Sequence, residues 1–262
     1  MTKTLKFGEP NAKLKKMLKK LSLKLKTFTL PAGHTCMGAK ECLSRADRET
    51  GKITDGPDTL FRCFAASGEA RSPSLRALVW HNFDLLIATL KKGGAQACAD
   101  LIHNSLPEKF DIMRVHVGGD YFSTVYLEAW IEVAKRNPDK VFYSYSKSLP
   151  YFAEWALPEN LVLTASRGGK FDDMIDLHGW KEALVVFSEE EAEEKGLEID
   201  HDDTHAAFGK ENFALLIHGT QPKGSAASQA LSAIKKKEKN KKLGGHFGAP
   251  AAGFNYEMNA IA

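Results

Sequence analysis

Three of the four cysteines in this 262-residue chain lie in one segment, at Cys36, Cys42 and Cys63. A short run of alternating apolar residues, Thr27 to Gly33, precedes them and predicts a strand followed by a turn. Thiolates are soft ligands that bind zinc and iron–sulfur clusters. Three thiolates leave one coordination position open. A fourth protein ligand could fill it, with His34 the nearest candidate, or a bound substrate or cofactor could. The alternative is that they are ordinary buried thiols.

Further polar groups follow the other predicted strands. Functional groups of parallel α/β sheets gather at the carboxyl ends of the strands, where the Gly118–Gly119 turn also lies. Taken alone, such a charged residue is more often a helix cap or part of a surface ion pair, and the glycines are typical of a tight turn. The candidate catalytic residues at these ends are Asp120, Lys147, Arg167, His218 and Lys223.

Alternating strand and helix patterns predict a single α/β domain with a parallel sheet. Six βα units are too few for a closed eight-stranded barrel, so they predict a partial (β/α)6 barrel or a doubly wound sheet. The cysteine-rich loop, residues 34–71, follows the first strand and is expected to be irregular, as functional loops often are. The predicted strands cover residues 27–33, 111–117, 141–146, 161–166, 183–187 and 213–218. The main predicted helices cover about 73–92, 95–105, 123–136, 172–178 and 189–195.

Other ligand-type residues have simpler interpretations. Cys98 lies among apolar residues of a predicted helix and is expected to belong to the core. The segment 201–205, His-Asp-Asp-Thr-His, has donors that suit zinc or another divalent metal, but its position between two strands favours an ordinary loop. Neither a G-x-S-x-G elbow nor a G-x-x-x-x-G-K-[ST] loop occurs, which disfavours a serine hydrolase or a P-loop NTPase.

Lysines concentrate at both ends of the chain, although the net charge is only +3. Residues 1–26 predict a basic amphipathic helix, the central domain is expected to span 27–225, and residues 226–262 predict a helix running into a basic, Gly/Ala-rich tail. Both ends could contact nucleic acid. The commoner case is a solvated surface, with the first helix packed on the domain. Its apolar face would carry Leu14, Met17, Leu18 and Leu21.

The composition is 43% hydrophobic and 26% charged, which is typical of a soluble globular protein. No apolar run approaches the roughly 20 residues of a membrane span, and the N-terminus lacks an apolar signal core. Four cysteines in a chain of this length do not indicate a disulfide scaffold. These features predict the reducing cytoplasm as the compartment, and no membrane partner.

The placement of these groups resembles the radical S-adenosylmethionine partial barrel. In that superfamily three cysteines after the first strand hold a [4Fe–4S] cluster, and a Gly-Gly-Glu stretch after the second strand contacts the amino group of S-adenosylmethionine. The resemblance implies that the three cysteines ligate a cluster and that Gly118, Gly119 and Asp120 meet the methionine moiety. The spacing here is Cys-x5-Cys-x20-Cys instead of Cys-x3-Cys-x2-Cys, and Asp stands in place of Glu.

A second resemblance covers most of the chain. The segments Leu30–Cys36, Gly118–Ser123 with Trp130, and Gln221–Ser225 are similar to the phage gene product 88 family. That family has no assigned activity. The resemblance implies a phage or prophage origin, and therefore the host-cell cytoplasm.

Two functional hypotheses from different classes follow. The first is an iron–sulfur enzyme with a radical S-adenosylmethionine-like partial barrel, acting on nucleic acid or a nucleotide. The second is a non-catalytic phage protein that binds DNA or RNA and carries a structural iron–sulfur or zinc site. A strong salt dependence of nucleic-acid binding without cofactor turnover would favour the second hypothesis.

Overall fold

The computed structural model describes residues 4–243, with side chains described through residue 240. The last nineteen residues of the predicted basic tail lie outside this range. The strands are β1 (Leu25–Thr27), β2 (Ser44–Ala46), β3 (Ile53–Asp55), β4 (Ile112–Arg114), β5 (Val141–Ser146), β6 (Leu161–Ser166), β7 (Glu182–Val186), β8 (Glu198–Ile199) and β9 (Phe213–Leu216). The α-helices are α1 (Ala12–Leu21), α2 (Phe64–Arg71), α3 (Pro73–Ser105), α4 (Thr124–Arg136), α5 (Asp173–His178), α6 (Glu189–Glu194), α7 (Thr204–Phe208) and α8 (Ala226–Leu243).

Seven strands form one parallel sheet in the order β1-β4-β5-β6-β7-β9-β8. The six predicted strands therefore lie side by side in chain order, and the unpredicted β8 adds a short edge. A doubly wound sheet would reverse its strand order, whereas successive parallel crossovers in one direction curl a sheet towards a barrel. The predicted α/β fold class is confirmed, with a layout consistent with a partial parallel barrel.

Local sequence signals explain where the long helices begin and end. The Ser72 side chain accepts a hydrogen bond from the Leu75 amide and Pro73 occupies the first turn, so α3 starts there. Gly93 and Gly94 have non-helical backbone angles, which divide α3 into the two predicted helices. In the same way, Ser123 caps α4 by accepting from the Tyr126 amide.

Two apolar clusters cover the two faces of the sheet. On one face α3 and α4 pack against the strands, and Cys98 is fully buried there as predicted. On the other face α1 and α7 cover β4, β5, β7 and β9, with Leu14 and Met17 of α1 buried against Ile112 and Tyr143. The apolar face of α1 thus packs on the domain, and together α1 and α7 fill part of the concave side of the sheet.

Two stretches differ from the sequence-based expectation. The first strand occupies Leu25–Thr27, where Lys26 pairs with Met113. The predicted strand 27–33 is the extended chain that follows this strand. The loop 34–71 contains the antiparallel hairpin β2–β3 and the helix α2. Asp47 accepts hydrogen bonds from Thr50, which forms the polar turn of that hairpin.

None of the helices within residues 4–243 is both long enough and apolar enough to cross a membrane.

Candidate functional site

The first cysteine lies in a turn that follows β1. The chain continues in extended form past β1, and the Leu30 amide donates to the Gly118 carbonyl at 2.8 Å. The Thr35 amide and hydroxyl both donate to the Pro31 carbonyl, at 3.2 and 3.0 Å, which closes the turn. The Cys36 sulfur accepts from the Gly33 amide at 3.2 Å. Cys36 therefore stands beside the end of the second strand of the sheet.

The segment that carries Cys42 is bound to the ends of β5 and β6. The Lys170 amide donates to the Gly38 carbonyl at 2.9 Å, and the Glu41 amide donates to the Gly168 carbonyl at 3.1 Å. A Cβ atom on Gly38 would lie 1.8 Å from the Lys147 carbonyl oxygen. Only glycine allows this backbone-to-backbone contact, and the contact brings Cys42 over the strand ends.

The third cysteine is positioned by the far end of the sheet. Cys63 caps α2, and the preceding Arg62 amide donates to the Gln221 side chain at 2.7 Å. The Gln221 amide group donates in return to the Arg62 carbonyl at 3.1 Å, and Ser67 donates to the Thr220 carbonyl at 3.2 Å. The loop after β9 thus positions Cys63 at the cavity that the other two cysteines also line.

The three thiols line one cavity of about 380 Å³ on the concave side of the sheet. This volume lies in the range of small-molecule sites. Loss of hydration raises the pKa of all three thiols, to about 12 for Cys63. The negative charge of Asp120 adds to this increase at Cys36. At Cys42 the positive charge of Lys147 partly offsets the increase. Within residues 4–243, no three or more His, Cys, Asp and Glu side chains are grouped so that they could hold a metal ion.

Asp120 joins the ends of two neighbouring strands. Its side chain is 4% exposed; Oδ1 accepts from the Tyr121 amide and the Ser146 hydroxyl, both at 2.7 Å, and Oδ2 accepts from the Lys147 amide at 2.9 Å. Burial raises the pKa of Asp120, and these hydrogen bonds oppose that effect. The residue lines the cavity as the sequence predicts, but most of its acceptor capacity is used by the protein.

The two glycines before Asp120 allow the cysteine-bearing segment to pack closely. Gly119 has φ +81°, and a Cβ there would lie 2.6 Å from the Thr35 hydroxyl and 2.7 Å from the Leu30 Cβ. A Cβ on Gly118 would lie 2.7 Å from the Ala65 side chain. Both glycines line the cavity, yet the close approach that they permit is by protein atoms.

The remaining predicted site residues separate into two groups. Lys147 and His218 line the cavity; the Lys147 ammonium donates to Ser166, and the His218 ring lies 4.8 Å from that of Phe64 at the exposed mouth. Three others are not among the residues that line it. Arg167 pairs with Glu182 and with Asp176, Lys223 is exposed, and His34 places Nε2 3.0 Å from the Ala46 carbonyl and its ring against Trp80.

A second charged group lies deeper in the same cavity, and sequence analysis missed it. Arg114 Nη1 lies 2.6 Å from Asp203 Oδ2, and Lys13 Nζ lies 2.7 Å from Asp203 Oδ1. The hydroxyls of Tyr143 and Tyr145 also donate to Asp203. Asp203 belongs to the segment considered for zinc, but its carboxylate is fully occupied by these partners. The one available signal was a charged residue, Arg114, within an apolar strand.

His116 lies between the two charged groups in an unusual conformation. It is 3% exposed and has φ +66°, a region that non-glycine residues seldom occupy. Its Nε2 lies 3.0 Å from the Tyr126 hydroxyl, and its ring lies 4.5 Å from that of Tyr121. Burial lowers the pKa of His116 to about 3, so the imidazole is neutral at pH 7.

The parallel sheet and the thiol-lined cavity at its carboxyl ends define a partial-barrel α/β protein with an enclosed site. The chain belongs to the gene product 88 family, whose model it matches over residues 3–240. This confirms the family resemblance inferred from the sequence.

Two relatives are phage proteins. The chain is 28% identical over 166 residues to the Gene 88 protein of Mycobacterium phage L5, and 25% identical over 165 residues to the Gene 88 protein of Mycobacterium phage D29. Each alignment covers 59% of this chain and 62% of the relative, so the chain spans less than two thirds of these relatives' length. No solved structure matches the chain.

The Gly119 contact leads to a stability prediction. Gly119→Ala should lower the free energy of unfolding by about 1–3 kcal/mol more than Gly179→Ala does. Both glycines have positive φ, so both substitutions incur left-handed strain, but Gly119 faces atoms closer than 3 Å, whereas Gly179 faces none within 4 Å. Urea denaturation measures both. Equal losses would contradict the close packing of the Thr35 turn against Gly119.

The low pKa of His116 predicts a pH-dependent stability. The unfolded imidazole binds a proton below about pH 6.5 and the folded one only near pH 3, so this contribution is complete above pH 6.5 and is lost as the pH falls. The stability advantage of wild type over His116→Asn should therefore shrink by about 1.4 kcal/mol per pH unit between pH 6 and 4. Asparagine tolerates the positive φ. A difference independent of pH would mean that the pKa of His116 is the same in the folded and unfolded states.

Proposed function

We propose that this protein is an iron–sulfur enzyme in which Cys36, Cys42 and Cys63 hold a [4Fe–4S] cluster at the rim of the internal cavity. The observation that supports the proposal is the convergence of three separately anchored thiols on one cavity at the carboxyl ends of a parallel sheet. Cys98, which is buried between α3 and α4, has no part in this site.

The donor set fits a cluster better than a single ion. A structural zinc ion takes four ligands at one point, whereas residues 4–243 offer no such grouping. In a four-iron cluster each thiolate binds a different iron, so three thiols spaced around a cavity suit it. Cluster binding would release the protons that burial keeps on these thiols, and metal affinity would contribute to the stability of the 31–63 segment.

Three protein thiolates leave one iron without a protein ligand, and His34 points away from the cavity. We propose that S-adenosylmethionine would occupy that position, and that a reduced cluster would supply it with one electron. The chain's own part is to orient the cofactor: the Asp120 carboxylate lies beside the thiols, and the Gly118–Gly119 backbone forms the adjoining wall.

The cavity shape supports an enzyme over a purely structural site. Behind the thiols the walls are largely apolar, with Val185, Leu215 and Ile217 contributing side chains. A site of this kind excludes water from a bound molecule, while a few polar groups orient it. Lys147 is a positioning residue here, because its ammonium joins the end of β5 to Ser166 of β6.

A nucleic-acid-binding role is the second candidate, and one observation favours it. Lys15, Lys16 and Lys19 of α1 are exposed, while Leu14 and Met17 on the other side of the helix are buried. This leaves a basic helical face in solvent, of the kind that contacts phosphate backbones. Such binding is compatible with an enzyme that acts on nucleic acid, so the two candidates need not exclude each other.

The cluster ligands can be tested by metal content. Protein purified without oxygen should contain about four irons and four sulfides per chain. Most of the iron and the sulfide should be lost in each of the variants Cys36→Ala, Cys42→Ala and Cys63→Ala. The proposed cluster has only three protein ligands, and each variant removes one of them. Cys98→Ala is the matched control and should keep wild-type content. Full occupancy in Cys63→Ala would overturn the assignment.

Cofactor binding can be tested on the reduced protein by electron-spin resonance. Added S-adenosylmethionine should alter the cluster signal, since it would occupy an iron. Asp120→Asn should weaken this effect more than Lys147→Ala, because the Asp120 carboxylate can accept a hydrogen bond from the cofactor amine, whereas the Lys147 ammonium is bound to β6. A cluster whose signal ignores the cofactor would favour a structural role for the metal.

A further inference from the structure

The floor of the cavity lies well below the thiols. Arg114 pairs in register with Tyr143, which precedes Ser146 in β5 by three residues. At about 3.3 Å per residue this places the Cα atom of Arg114 roughly 10 Å before the strand end where Asp120 bonds Ser146. Lys13 and Asp203 line the cavity beside Arg114. The cavity therefore has a thiol rim and a separate ionic floor.

The floor carries one more positive charge than negative charge. Arg114 and Lys13 share a single carboxylate, Asp203, which is fully buried. Arg114 is 8% exposed, and its Nε is buried without a hydrogen-bond acceptor among the described residues. A buried donor with no acceptor costs free energy, so a shift of the Arg114 side chain that brought Nε to an anionic acceptor would be favourable. The Arg114 guanidinium also lies 4.9 Å from the centre of the Tyr145 ring, which fixes its plane.

Helix α1 adds a second source of positive potential. Asn11, Ala12 and Lys13 at its amino end line the cavity. Asn11 accepts from the Leu14 amide, and the first turn contains no acidic residue. The amides of Ala12 and Lys13 have no acceptor within the described part of the chain. The end of this ten-residue helix therefore presents free N–H groups and a partial positive charge to the cavity.

Two other titratable groups lie near the floor, Asp200 and His218, and the Asp200 Oδ2 atom is buried without a hydrogen-bond partner among the described residues. Asp200 is buried on the other side of the turn before α7; it accepts from the Asp203 amide and lies near His205. It is not among the residues lining the cavity. His218 is exposed at the mouth of the cavity, and a histidine supplies no negative charge. None of these groups supplies the missing negative charge at the floor.

We infer that the floor binds one anionic group, a phosphate or a carboxylate, of the molecule that occupies the cavity. Arg114, Lys13 and the amino end of α1 are its ligands, and Asp203 holds the two cations in place. This deepens the proposed function, on which it rests for the idea that the cavity holds a substrate. A molecule whose anionic group binds at the floor would extend its apolar part past Leu215 and Ile217 towards the thiol rim.

The test uses three probes of similar size: phenyl phosphate, benzoate and uncharged benzyl alcohol. Calorimetry at constant ionic strength should show saturable binding of at least one anion and at least about tenfold weaker binding of benzyl alcohol. Stronger binding of phenyl phosphate would identify a phosphate-bearing substrate, and stronger binding of benzoate a carboxylate-bearing one. Equal binding of all three probes would overturn the inference.

Two lysines of the same helix give a matched pair of variants. Lys13→Met should weaken anion binding at least about tenfold, whereas Lys16→Met, at an exposed position that does not line the cavity, should change it less than about twofold. Asp203→Asn should act in the opposite direction, because it removes the only negative charge of the floor while asparagine tolerates the positive φ of this residue. Tighter anion binding by a variant is not a result that partial unfolding produces. Unchanged binding in Lys13→Met would overturn the inference.

Anion binding and metal content are measured separately, so the two proposals can fail independently. The calorimetry is repeated on protein with and without metal. Metal-loaded protein that binds no anion would remove the floor site and leave the cluster assignment intact. Anion binding to a protein that never holds iron would remove the cluster assignment and leave the floor site.

Discussion

The buried carboxylate of Asp120 is the interaction on which the site depends. It accepts hydrogen bonds from the ends of β4 and β5, and it does so beside Cys36 and Cys42. A carboxylate in this position is tolerated only because amide and hydroxyl donors surround it. Those hydrogen bonds hold the loop that follows β4 against the end of β5. The cysteine-bearing segment then packs on this edge at two glycines, where Thr35 faces Gly119 and Gly38 faces Lys147, and neither glycine has room for a side chain larger than hydrogen.

The second constraint is the ion group at the floor. Removing one partner of a buried ion pair is costly because the other charge remains in a medium of low polarity. Asp203 therefore ties the sheet, through Arg114, to the first helix, through Lys13. This connects the concave face of the sheet to the helix that covers it. The cavity lies on this face beside the amino end of α1, with Val185, Leu215 and Ile217 among the residues that line it.

Much of the fold follows from local patterns. The strands β5 and β6 lie at the predicted residues, and α4 begins one residue after its cap Ser123, because apolar periodicity and capping act over a few residues. The hairpin β2–β3, the short helix α7 and the edge strand β8 were missed. Each of these strands, and the helix α7, has five residues or fewer, which is too short to show a periodic apolar pattern. Tertiary contacts hold them in place.

The sequence alone separated Cys98, which sits on an apolar helical face, from the three cysteines that follow a strand and that line the cavity. It also determined the parallel order of the strands through the alternation of strand and helix. The tertiary structure decided the rest: that His34 turns to Ala46, that Gln221 holds Arg62, and that Arg114 meets Asp203. The last two contacts join residues 159 and 89 positions apart. Such pairs leave no local pattern, because their hydrogen bonds form only once the sheet has brought distant segments to the same end of the molecule.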